Sequence, residues 1–75
     1  MRKYKISYCE FENCGVRYYS TIRVNTLRTA KTIMNALKKE NYDVALYKLK
    51  KDGKTDLDYD FVEQANYPKK NFNIQ

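Results

Sequence analysis

The chain has 75 residues, of which 43% are hydrophobic and 15% aromatic, and a formal net charge of +6. That is enough apolar material for one domain with one thin core, and too much for a disordered chain. No stretch approaches the roughly 18 apolar residues of a membrane span, and the charged start Met1-Arg2-Lys3 lacks the apolar run of a secretory leader, so a cytoplasmic protein with reduced Cys9 and Cys14 is expected.

Residues 3 to 11 alternate. Tyr4, Ile6 and Tyr8 point one way, and Lys3, Lys5 and Ser7 the other, as on a half-buried strand. Residues 16 to 24 repeat the pattern, with Val16, Tyr18, Ile22 and Val24 against Arg17, Tyr19, Thr21 and Arg23. A three-residue turn at 13 to 15 pairs Ile6 with Ile22, Tyr4 with Val24 and Cys9 with Tyr19, so apolar meets apolar on one face. Asn25 or Thr26 then caps a helix whose apolar arc is Leu27, Ala30, Ile33, Met34 and Leu37. Arg28, Lys31, Lys38 and Lys39 fall on its opposite arc, and Asn41 is a C-terminal stop.

Residues 43 to 50 and 55 to 62 read as a second hairpin around Asp52-Gly53. Leu57, Tyr59 and Phe61 form one face of its last strand, opposite either Val44 and Leu46 or Ala45, Tyr47 and Leu49, according to turn length. Asp56, Asp58 and Asp60 form the other face. The fold class is therefore α+β, ββαββ, with a mainly antiparallel sheet in the preferred order 2-1-3-4 and one helix on one side. Residues 1–65 form the single domain, and residues 66–75 a polar C-terminal tail.

The charge is uneven. Residues 1 to 51 carry twelve Lys/Arg and four Asp/Glu, giving +8, and residues 52 to 75 carry three and five, giving −2. With no His, a Ser-His-Asp or Cys-His site cannot be built, and two Cys supply at most half a zinc site. The residues point to no enzyme, no metal and no cofactor. The alternating aspartates are spaced too widely along a strand for one ion, so they read as a charged edge or a partner surface.

One helix covers one side of a sheet. The open side, with Tyr19, Tyr47, Asp56, Asp58 and Asp60, is the expected partner-binding surface, and a basic protein surface is the expected complement of the aspartates. The rival reading is a nucleic-acid-binding regulator that tracks phosphates with Arg28, Lys31, Lys38 and Lys39. Two further readings are a homodimer joined through an edge strand and an oligomer that sequesters a nucleotide ligand. Lys, Asn, Tyr and Ile are plentiful, which fits an A/T-rich coding sequence of a low-GC bacterium or its phage. In size and style this Lys/Asn/Tyr-rich ββαββ chain resembles the orphan proteins of phages and mobile elements, anti-CRISPR and other anti-defence proteins among them. The resemblance implies a stoichiometric inhibitor or adaptor that docks on a host protein.

Overall fold

The computed structural model describes residues 2–66. Its elements are β1 (Tyr4–Asn13), β2 (Val16–Val24), α1 (Leu27–Lys39), β3 (Val44–Leu49), a 3-10 turn (Asp56–Asp58) and β4 (Tyr59–Ala65). The strands form one antiparallel sheet in the order β2-β1-β3-β4, and the fold is the α+β ββαββ arrangement that the sequence predicts. Of the expected polar tail, residues 67–75 lie outside the described residues.

In the first hairpin Tyr4 pairs with Val24, Ile6 with Ile22 and Cys9 with Tyr19, in the predicted register. The turn differs. Asn13 pairs with Val16, so the loop is Cys14 and Gly15, with φ of 53° and 81°. Two successive positive φ values match the twist of a tight hairpin. The register survives because Glu10 is bulged out of β1, which restores the residue that the shorter turn removes. The bulge also switches the side on which later β1 residues lie. Phe11, which unbroken alternation would place on the side of Lys5 and Ser7, joins Tyr18 on the face of Ile22, where the two rings stack at 4.7 Å.

The helix forms where its caps are. The Thr26 hydroxyl accepts the Thr29 N–H at 3.2 Å. At the other end Asn41 takes φ 67°, and the Tyr42 N–H donates back to the Leu37 carbonyl at 3.0 Å. Ala30 and Met34 are buried against Ile6, Val44 and Leu46, with Ile33 and Leu37 packed beside them. Leu27 corrects its expectation: it is 46% exposed. Helical side chains lean toward the N-terminus, so that of the first residue points off the end of the helix.

The second hairpin departs furthest. The favoured pairing with Val44 and Leu46 does not occur; Tyr59 and Phe61 lie opposite the other expected set, slipped by two residues, with Leu49 paired to Tyr59 and Tyr47 to Phe61, and beyond a bulge at Val62 Leu46 pairs with Glu63 and Val44 with Ala65. Tyr59 and Phe61 therefore share the open face with Tyr47, and Ala65 is the β4 residue that packs on the core. Asp56, Leu57 and Asp58 are not in the strand at all. Thr55 and Asp58 instead form a capping box, which satisfies the local backbone donors without a sheet partner. Gly53 serves this loop by its lack of a side chain: a Cβ there would lie 2.7 Å from the Asp58 Cβ and 2.8 Å from the Leu49 Cδ1.

β3 pairs with β1 over Tyr4–Tyr8. The far half of the first hairpin thus extends beyond the helix as a two-stranded ribbon, and the described residues measure 42 × 24 × 17 Å.

Candidate functional site

The open face is organised around Asp43, the residue before β3. Its side chain is 3% exposed. A carboxylate so buried has to be neutralised and hydrogen-bonded, and this one is. Its Oδ2 accepts the Tyr19 hydroxyl at 2.8 Å and Arg17 Nη2 at 3.0 Å, and its Oδ1 accepts Gln64 Nε2 at 3.1 Å. Arg17 also donates to Glu12 at 2.8 Å and through Nε to the Tyr19 oxygen at 3.2 Å. Burial pushes the Tyr19 phenol above its ordinary pKa; the hydrogen bond from Arg17 opposes that shift, and Asp43 adds to it. The cluster clamps β2 and β4 to the start of β3.

Beside the clamp, the Lys5 ammonium lies over two rings, 5.0 Å from the centroid of Tyr47 and 4.7 Å from that of Tyr59. Phe61 stands edge-on to Tyr47 at 6.0 Å. Aromatic and basic side chains are mixed on this face. Lys5, Arg17 and Arg23 share the open face with Tyr19, Tyr47, Tyr59 and Phe61, because the register of β4 turns its aromatic residues outward.

The five residues expected to bind a partner are dispersed. Tyr19 and Tyr47 are on the open face as predicted. The row of aspartates is not formed. Asp60 pairs with Lys48, opposite in side to Tyr59, and its carboxylate is 3.8 Å from Lys50. Asp56 and Asp58 shape the 3-10 turn. Asp58 accepts the N–H groups of Lys54 at 2.8 Å and Thr55 at 2.9 Å, which hold its pKa below the usual carboxylate range. Asp56 meets Arg23 at 2.6 Å and is held low first by that bond, then by the charges of Lys5 and Arg23. Arg23 belongs to the opposite edge strand, so this ion pair draws the turn across the open face. At the turn Leu57 is 90% exposed.

On the helix, Arg28, Lys38 and Lys39 are exposed, whereas Lys31 reaches back to Glu63 on β4. Arg28 and Lys38 are separated by about 15 Å along the axis, at 1.5 Å per residue. The expected phosphate track is thus two separate ends and a paired lysine. Cys9 and Cys14 are free thiols. No three His, Cys, Asp or Glu among the described residues are grouped to hold a metal ion, and no described helix is long and apolar enough to cross a membrane.

No family model, no characterised protein and no solved structure matches this chain. Its chemistry is read from its own residues. Sequence reasoning missed Asp43, Arg17, Lys5 and Leu57. The capping-box spacing of Thr55 and Asp58 was a legible signal for the turn that presents Leu57.

Proposed function

We propose that the chain is a non-catalytic protein-binding module, an inhibitor or adaptor of the phage and mobile-element type, which docks through its open sheet face. The observation that carries this reading is Leu57. An aliphatic side chain 90% exposed on a turn tied down by Asp58 and by Arg23–Asp56 is presented in a fixed place. A protein pocket can bury it fully, whereas a nucleic acid takes such a side chain only as a wedge between unstacked bases, at a cost of a few kcal/mol per step. On the open face itself Phe61, 58% exposed, and Tyr19, 48% exposed, add apolar surface. Aromatic and aliphatic anchors of this kind carry most of the energy of protein interfaces.

The aspartates have a different role from the one the alternation suggests. Asp56 and Asp58 build the turn, and Asp60 lies beside Lys48 and Lys50 on the other side of β4, so no row of carboxylates stands on the open face. The complement of this surface is an apolar pocket with an acidic rim, facing a chain of net charge +6 with Lys51 and Lys54 in the loop that carries Leu57.

The test is capture of a stoichiometric protein partner from a nuclease-treated lysate of a low-GC bacterium. Leu57→Asp and Phe61→Asp should each abolish capture with the far-UV spectrum intact. Capture that disappears on nuclease treatment, or that survives both substitutions, rules the reading out.

A further inference from the structure

The end of the sheet formed by the start of β1 and the end of β3 carries a depression of about 420 Å³, lined by Lys3, Lys48, Leu49, Lys50 and Lys51. Its lysines come from two distant parts of the chain. The Leu49 N–H donates to the Lys3 carbonyl at 2.7 Å, which brings Lys3 to the group. The backbone behind Lys50 is fixed on both sides: its N–H donates to the Asp58 carbonyl at 2.8 Å, and its carbonyl accepts the Gly53 N–H at 2.9 Å.

Like charges gathered on a fixed backbone repel one another unless something offsets them. Among the described residues, the one acidic group paired with these four lysines is Asp60, at 3.8 Å from Lys50, with both side chains more than half exposed. Elsewhere Arg17 is paired with Asp43 and Glu12, Arg23 with Asp56 and Lys31 of the helix with Glu63, while Lys5 lies over two rings. The cluster is offset only in part, by Asp60 and by Asp52 and Asp58 of the adjoining loop, and over a low-dielectric floor such as Leu49 it keeps a positive potential that attracts anions of high charge density.

We infer that this depression is a binding site for consecutive phosphates of a polyanion. The site adjoins the Leu57 turn, whose Asp58 carbonyl holds the Lys50 backbone, but its ligand groups are the lysines and not Leu57. It also differs from the helix face, whose cations are spread over both ends. Consecutive phosphates occur both in a nucleic-acid backbone and in a free oligophosphate, and the lysines engage the same groups in each.

The test uses a 20-base-pair DNA duplex and inorganic tripolyphosphate as separate probes of the full chain, by fluorescence anisotropy and calorimetry. Lys48→Glu with Lys51→Glu should weaken binding at least tenfold, whereas Lys38→Glu with Lys39→Glu, the same change in net charge, should alter it less than threefold. Three unpaired lysines correspond to a roughly 40-fold loss of duplex affinity between 50 and 200 mM salt. Duplex binding with this residue dependence assigns the site to a nucleic-acid backbone. Tripolyphosphate binding with the same dependence, and none of the duplex, assigns it to a free anion. Equal weakening by the two charge-reversed pairs, or no binding of either probe, overturns the inference.

Discussion

The Tyr19 hydroxyl donates to the Asp43 carboxylate at 2.8 Å, from β2 across β1 to the start of β3. Cys9 lies between them, paired with Tyr19 on one side and donating its N–H to the Asp43 carbonyl at 2.9 Å on the other. Because Arg17 and Gln64 complete the shell, one buried carboxylate ties three strands on the face that the helix leaves open.

Removing that carboxylate should loosen the open face. Asp43→Ala removes the shared acceptor of Tyr19 and Gln64, and because both residues reach water the cost should lie at the low end of about 1–3 kcal/mol. Part of the loss is recovered because Arg17, 24% exposed, can turn to water. Urea denaturation gives the value. A midpoint equal to that of the parent protein would mean that the cluster adds nothing to the fold.

The helix–sheet core should be sensitive at Met34 and tolerant at Leu27. Met34 is 1% exposed, and Met34→Ala should cost about 2–5 kcal/mol. Leu27→Ala, at an exposed helix end, should cost under about 1 kcal/mol. Similar losses at both sites would show that the first helical turn also covers the sheet.

Gly53 is required by crowding and not by a left-handed backbone. Gly53→Ala should push Asp58 away from the Lys54 and Thr55 N–H groups. Amide exchange at Lys54 and Thr55 should accelerate while that of β1 is unchanged. Unaltered exchange in the loop would contradict the close approach.

Cys14 is a β-substituted residue at φ 53°, where Asn is better tolerated. Cys14→Asn should raise stability by about 0.5–1 kcal/mol, since a left-handed L-residue costs about 1–2 kcal/mol. A drop in melting temperature would point to a role for the thiol that the free, exposed side chain does not suggest.

Acid should act on the Leu57 turn. The folded-state pKa values of Asp56 and Asp58 are depressed, so their contribution is complete above the ordinary carboxylate value of about 4 and is lost as pH falls through the lower folded values. From pH 7 to 5 the turn should be unchanged; it should begin to weaken below about 4 and open only as pH falls through the depressed folded values. Asp58→Asn should flatten this dependence, read from the chemical shifts of Leu57 against pH. Identical titrations in parent and variant would remove Asp58 from the account.

The order of elements, the caps at Thr26 and Asn41, the register of the first hairpin and the placement of Tyr19 and Tyr47 on the open face were legible in the sequence. Each rests on a pattern contained within a few residues: alternation, helical spacing or a cap. The bulges at Glu10 and Val62 were not, because one extra residue in a strand leaves the composition of both faces plausible while it moves Phe11, Tyr59 and Phe61 to the other side. The alternation of Asp56, Leu57 and Asp58 fits a strand as well as a capped turn, and the choice fell to backbone hydrogen bonds within the loop. The sequence places Asp43 at the start of a strand and gives no sign of its partners, since Arg17, Tyr19 and Gln64 reach it only through the pairing of distant strands. Lys3 joins Lys48, Lys50 and Lys51 for the same reason: strands far apart in sequence pair side by side, and charge then gathers where no local pattern placed it.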